Sequence, residues 1–310
     1  MTGLTDFITD AKWEDVLTEW FVLVDDACQA LERRYRAWRK RGPRPRFADS
    51  EALTVGLLID TWFDGQEAKG LAFVRQYQRG LFPHLPSNGQ FNVRRRALGL
   101  VAEQIRRCLL NSAELIAPDE RLRLIDSLPV RACQYGRAAR CQTVSGPEYM
   151  GLSSVNKARF FGFRLQATIS PNQVLEDWLL APAARKDGKT ASALLGERSD
   201  LHVFGDNAYH DPGERHLLAL RHNVQLWAVP RKDARFGQWP KAVKRWVKRL
   251  RLRIETAFSV LTTVFHLDTP RARSLEGLIA RTATRVLAST LCFLTAPRFA
   301  HCHLAPVTPN

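Results

Sequence analysis

Apolar residues recur at helical spacing between Trp13 and Arg39. Val16, Leu17, Trp20, Phe21, Val24, Ala27, Cys28, Leu31 and Tyr35 follow a 3.6-residue repeat, so the segment reads as an amphipathic helix. It runs into a cationic stretch, Arg33, Arg34, Arg36, Arg39, Lys40 and Arg41, which Gly42-Pro43 ends. A second helix is predicted over ALTVGLLIDTWF. Asp49 or Ser50 serves as its N-cap, and Asp49 and Glu51 lie where the helix dipole favours anions. A third covers Glu67 to Gln78, and the turn-rich LFPHLPSNG follows it. The fourth, QFNVRRRALGLVAEQIRRCLL, carries Arg94, Arg95 and Arg96 in its first turns, and Pro118 closes the helical region.

From Arg121 the pattern changes. LRLIDSLPV is a short apolar run, FFGFRLQATIS alternates with period two, and VLEDWLLAPA follows the Pro171-Asn172 turn, so the last two read as a hairpin. DGKTASALLGERS reads as a helix capped by Asp187, LHVFGD as a strand, PGERHLLALRHN as a helix and VQLWAVPRK as a strand. Long helices are predicted from Lys241 to about Phe265 and from Ser274 to about Thr295. Strands joined by helices imply a mixed sheet covered by helices, an α/β unit behind an all-helical one. The expected division is a helical domain over 1–118, an α/β domain over 119–300 and a tail over 301–310.

Composition narrows the class. With 45% hydrophobic and 25% charged residues the chain has the make-up of a globular protein with a core, not of a disordered one. Its 46 Lys+Arg against 31 Asp+Glu leave a net charge of +15, which points to a polyanionic partner, nucleic acid or an anionic membrane face. No uncharged stretch reaches the ~18–20 apolar residues of a membrane span; the run from Val286 to Pro297 lies between Arg285 and Arg298. The acidic N-terminus does not read as a signal peptide. Six scattered cysteines without a CxxC pattern fit reduced thiols of a cytoplasmic protein, and a zinc site on Cys133 and Cys141 or in the His301-Cys302-His303 tail is the weaker alternative.

Three acids stand out by position. Asp126 lies inside an apolar strand, Asp206 ends another, and Glu255 sits mid-helix in KRLRLRIETAFSVL. A strand acid is costly unless it is paired, protonated or bound to a cation. Acids at strand ends line the crevice outside a sheet. Carboxylates converging there suit Mg²⁺, which takes oxygen ligands, and two such ions supply what phosphodiester cleavage needs. The competing reading is a hydrogen-bonded strand Asp and a salt-bridged helix Glu. Around Glu255, ten basic residues and one acid, Asp233, lie between Arg231 and Arg253. Lys248 and Arg251 share the Glu255 face of the helix, at spacings of seven and four. With Lys244 and Arg245 they form a candidate phosphate-binding surface. Trp239 and Trp246, interleaved with these charges, either stack on an unpaired base or pack in the core.

These blocks together resemble a DDE transposase of the insertion sequence 982 group, whose catalytic core is ribonuclease-H-like. ADSEALTVGLL and FPHLPSNGQFNVRRRAL resemble its helical N-terminal part, and IDSLPVRACQYGRAARC its first catalytic block. GLSSVNKARFFGFRLQ resembles the next strand, GDNAYHD the second block, and RLRIETAFSVLTTVFHLDTPRARSLEGLIAR the third. Two positions depart from the group. Asn207 and Ala208 stand where relatives carry Lys-Gly, and Gln166 where they often carry His.

The resemblance implies Asp126, Asp206 and Glu255 as the catalytic and metal-binding acids, with two Mg²⁺, replaceable by Mn²⁺. It implies binding of the terminal inverted repeats of a mobile element, 3′-end cleavage and strand transfer into target DNA. The partner is double-stranded DNA, bound as a dimer on paired ends with no membrane involved, in the nucleoid of a bacterial cytoplasm. Arg94, Arg95 and Arg96 are candidates for end recognition: either a helix N-terminus carrying them enters the major groove, or they contact only phosphate and give affinity without sequence choice. A general nuclease on the same core, or an inactive or domesticated copy acting as a repressor, shares these features.

Overall fold

The computed structural model describes residues 12–35, 45–153, 157–230 and 239–299. The cationic runs at 36–41 and 231–235 and the tail at 301–310 lie outside them. The chain divides into two compact units, one of Met1–Leu115 with Leu261–Thr308, the other chiefly Ile116–Val260. By its contacts the last helix falls in the same unit as the N-terminal helices.

The first unit is helical: α1 (Lys12–Tyr35), α2 (Asp49–Trp62), α3 (Glu67–Tyr77), α4 (Asn88–Ala97), α5 (Gly99–Ser112) and α9 (Leu275–Phe299). The α1 stripe is buried at Val16, Leu17, Trp20, Val24 and Leu31, and Trp20 stacks at a tilt on Trp62. Leu275–Thr295 of α9, although Arg281 and Arg285 interrupt it, is long and apolar enough to cross a membrane, with a mean hydropathy of 1.2. It packs against α2, α4, α5 and α1 as the core helix of this unit. Two expectations are corrected here. Ala48, not Asp49 or Ser50, is the N-cap of α2. The Glu51 carboxylate accepts from the Ala48 N–H, and Asp49 pairs with Arg94 at 2.6 Å instead. The predicted fourth helix is two helices that part at Leu98, so Arg94, Arg95 and Arg96 sit in the last turn of α4, not its first.

Buried charge ties this unit together. Asp60 is fully buried, and Arg95 and Thr284 donate to its carboxylate while the Arg285 Nε lies 3.5 Å away. Burial alone would raise the Asp60 carboxyl, but Arg95, Arg285 and Arg281 hold it below its ordinary value. Glu67 takes Arg281 at 2.8 Å and Arg95 at 3.1 Å.

The second unit carries β1 (Leu122–Cys133), β2 (Met150–Leu152), β3 (Arg159–Ile169), β4 (Leu175–Pro182), β5 (His202–Gly205) and β6 (Gln225–Ala228). Three helices accompany them, α6 (Ala191–Leu195), α7 (Pro212–His222) and α8 (Lys241–Thr263). The sheet order is β2-β3-β1-β5-β6, with β4 also pairing β3. β1, β3 and β4 are antiparallel, whereas β5 joins β1 and β6 joins β5 in parallel. This is a ribonuclease-H-like mixed sheet flanked by helices. The short β2 has no counterpart in the sequence reading, because three residues are too few for a period-two signal. Opposite the bulge in β1, Gly162 has φ +150, and a Cβ there would lie 2.3 Å from the Val130 carbonyl oxygen, so only glycine fits. Ile125, Val203 and Leu226 point to one face of the sheet, where Leu194, Leu195 and Leu218 of α6 and α7 cover them. Asp211 caps α7 by accepting from the Glu214 N–H.

Replacing Asp60 by Asn should cost about 3–5 kcal/mol, because buried guanidiniums lose their counter-charge without losing side-chain volume. Urea unfolding of the variant beside the wild type measures this.

Candidate active site

Parallel pairing of β1 with β5 sets the geometry. Its last matched pair is Leu124 with Phe204, and two residues further on each chain stand Asp126 and Asp206. The two carboxylates therefore come side by side where the parallel ladder ends, the crevice position for a doubly covered sheet. Each ties one oxygen to the backbone ahead of it. Asp126 Oδ1 accepts from the Ser127 N–H and Asp206 Oδ1 from the Ala208 N–H, both at 2.8 Å. The second oxygen of each makes no hydrogen bond among the described residues.

Burial pushes the Asp126 carboxyl up to about 7, and the negative charges of Asp206 and Asp187 add to the effect, while the Ser127 N–H and Arg251 oppose it. Asp206 is raised for the same first reason, with Asp187 adding to it and the Ala208 N–H, Arg251 and Arg164 opposing. β4 offers a contrast. Its acids Glu176 and Asp177 are also buried, yet each is matched by a guanidinium. Arg123 reaches Glu176 at 2.5 and 3.1 Å, and Arg198 reaches Asp177 at 2.6 and 3.0 Å. Among the described residues Asp126 and Asp206 have no such fork. Two hard oxygen donors, partly desolvated and each with one oxygen uncommitted, are a donor set that suits Mg²⁺, which is commonly held by one or two carboxylates and its own waters.

Asp187 was read from the sequence as a helix cap, and the structure corrects this. Its carboxylate accepts from Gln166 Nε2 at 2.5 Å and from Ser127 Oγ at 3.1 Å, with Arg164 at 3.9 Å. Gln166 is fully buried and accepts from the Tyr209 hydroxyl. The chain Tyr209, Gln166, Asp187, Ser127 thus fastens the segments that follow β4 and β5 to the residue next to Asp126. In the sequence Gln166 marks only a departure from relatives, and nothing in DGKTASALL marks Asp187 out as anything other than a cap.

The third sequence-predicted acid is on the surface of α8. Glu255 is exposed on α8, and the described residues hold no group of three His, Cys, Asp or Glu side chains gathered as a metal cage. What α8 does bring to the two aspartates is the charge of Arg251, one turn before Glu255. Lys244, Arg245 and Lys248 are exposed on the same helix. Trp246 packs edge-on against Phe204 at 5.4 Å and Trp239 does so at 6.3 Å, while Trp227 stacks on it at 6.4 Å. Both predicted tryptophans therefore have an aromatic partner in the fold, and Trp246 stays 41% exposed. In the helical unit the three-arginine run splits by role. Arg94 pairs with Asp49, Arg95 is 2% exposed and bound to Asp60 and Glu67, and Arg96 is exposed. Arg95 is spent inside the fold and is not presented to a groove.

No curated protein and no solved structure matches the chain. A family model does, that of the transposase DDE domain, over residues 117–291. This span takes in both aspartates, the Asp187 chain and all of α8. With more than half of the sequence matched and the two acids adjacent on a ribonuclease-H-like sheet, the chain belongs to the DDE-domain transposases.

Proposed function

We propose that the protein cuts DNA at the terminal inverted repeats of its own mobile element and joins the freed 3′ ends to target DNA. The adjacency of Asp126 and Asp206, each with one uncommitted carboxylate oxygen, carries this reading. The blocks that resemble the insertion sequence 982 group support a place in that group. Asp126 and Asp206 would hold Mg²⁺, two ions being the expected complement, and Glu255 of α8 would complete the set from one turn beyond Arg251. Bound Mg²⁺ supplies a Lewis acid that makes water nucleophilic and steadies the leaving oxygen at a phosphodiester.

The chain's own groups do the rest. Arg251 offsets the negative charge of the two aspartates and gives an entering phosphodiester a cationic partner. The Tyr209–Gln166–Asp187–Ser127 chain keeps β1 from shifting, which fixes the Asp126 carboxylate. Water attack on the scissile phosphodiester breaks the P–O bond to the 3′ oxygen and frees a 3′-OH. Attack of that 3′-OH on a target phosphodiester exchanges one P–O bond for another, so no ATP and no covalent enzyme intermediate is required. Arg96, Lys244, Arg245 and Lys248 are exposed and suit contacts with DNA phosphates. Two protomers on paired ends fit the joining of two 3′ ends.

Asp206→Asn, tested with Mg²⁺ or Mn²⁺ on labelled DNA carrying the flanking repeats, should lose the nick at the repeat boundary by at least about 100-fold. That is the upper end of the cost of losing even an outer partner of a metal ligand. DNA binding should survive in the variant, and undiminished cutting would overturn the assignment. The same assay with Glu255→Gln decides whether the exposed α8 acid belongs to the set; cutting at the wild-type rate would remove it.

The pH dependence follows from Asp126. Its pKa is raised in the native state from 3.8 to about 7, so below about 7 the carboxyl is protonated and a cation must displace that proton. Mg²⁺ affinity should fall as pH drops below about 7, with protons released on binding, and Asp126→Asn should flatten the profile. In metal-free protein the sign reverses. The native state holds the proton more tightly than the unfolded state, so this group's contribution to stability is present at acid pH and is lost as pH rises through about 7. Calorimetric titration in buffers of different ionisation enthalpy, and urea midpoints against pH, check the two halves.

A further inference from the structure

A second charged feature lies wholly within the helical unit. A cavity of about 420 Å³ is walled by α4, by the start of α9 and by the segment leading into it. Five arginines line it, Arg95, Arg96, Arg271, Arg273 and Arg281, against one acid, Glu67. Partners account for three of the five. Arg95 is bound to Asp60 and Glu67, Arg281 to Glu67, and Arg271 to Asp64. Arg96 and Arg273 are exposed and have no acid partner among the described residues. They enter from different elements, α4 and the lead-in to α9. Arg96 crosses to the first turn of α9, where a Cβ on Gly277 would lie 3.6 Å from its Cδ.

The surplus is built in. Within the buried cluster Asp60 and Glu67 face three guanidiniums, Arg95, Arg281 and Arg285, so the wall behind the cavity is itself cationic. Burial lowers the Arg281 and Arg285 pKa values, with Arg95 pushing the same way, which is the sign of guanidiniums short of anionic partners. At the mouth, Ser274 Oγ accepts from the Gly277 N–H and starts the 25-residue α9, whose positive dipole end adds to the field.

We infer that this arginine cavity is a binding site for a phosphate group of the DNA backbone, with Arg96 and Arg273 as its two free forks. The guanidinium fork matches phosphate geometry and keeps its charge at any working pH. The inference rests on the transposase reading and deepens it: it joins Arg96 to Arg273 in one built phosphate site of the helical unit, remote in sequence from the aspartates. A phosphate contact is blind to sequence, so it contributes affinity and register rather than choice of site.

The test uses metal-free full-length protein and a short duplex of arbitrary sequence, with affinity followed by anisotropy against salt concentration. Arg96→Gln and Arg273→Gln should each lower the log–log salt slope by about 0.9, the loss of one phosphate contact. Arg273→Lys should restore most of the slope, and Arg79→Gln, an exposed arginine of the same unit outside the cavity, should leave it unchanged. Unfolding midpoints of all four should match the wild type, because these side chains are exposed. Unchanged slopes in the cavity variants, or an equal loss in Arg79→Gln, would overturn the inference. Inorganic pyrophosphate serves as the second probe. If it stabilises the wild type while the DNA slopes of the variants do not move, the cavity takes a free phosphate and the DNA assignment fails. Wild-type protein that binds no duplex at all would instead overturn the transposase reading, and this inference with it.

Discussion

Two carboxylates on neighbouring parallel strands repel each other, and burial strengthens the repulsion by removing the water that would screen it. The α/β unit is organised around maintaining that unfavourable pair. The parallel ladder of β1 and β5 brings Asp126 and Asp206 level, backbone N–H groups steady one oxygen of each, and Arg251 and Arg164 supply partial compensation. A third negative charge, Asp187, is placed nearby instead of a neutralising one. The sheet can carry this cost because its opposite face is a continuous apolar core under α6 and α7.

The buried acids of β4 show what a purely structural solution looks like. Glu176 and Asp177 are neutralised by two-pronged arginine contacts, and each such pair closes its own electrostatic account. Asp126 and Asp206 are left open. The difference lies in the partners and not in burial, and it separates a site from a scaffold more sharply than the presence of an acid in a strand does.

Much of this was legible from residue order. Apolar runs, period-two alternation and 3.6-residue patterns located the long strands and helices, although α4 and α5 read as one, and the two aspartates declared themselves as acids in apolar strands. What stayed hidden depends on distant pairing. Glu176 and Asp177 could not be told from site residues without knowing where Arg123 and Arg198 would fall. Asp187 looked like a cap because local sequence cannot show Ser127 and Gln166 arriving across the sheet. The arginine run of α4 looked like one surface, yet the hundred-degree step of a helix sends Arg95 inward to Asp60 while Arg96 stays outside. Glu255 owes its place in the proposed set to motif alone, since the fold leaves its side chain exposed.

The helical unit is assembled from both ends of the chain, 1–115 and 261–308, with the α/β unit contiguous between them. On the ribosome this sets an order of events. The sheet can complete itself as it emerges, whereas α1 to α5 wait, with Asp60 and Arg95 in place but Arg281, Thr284 and Arg285 not yet made. The charge cluster at the heart of that unit is therefore complete only once α9 has been made, because Thr284 reaches Asp60 across 224 residues of sequence.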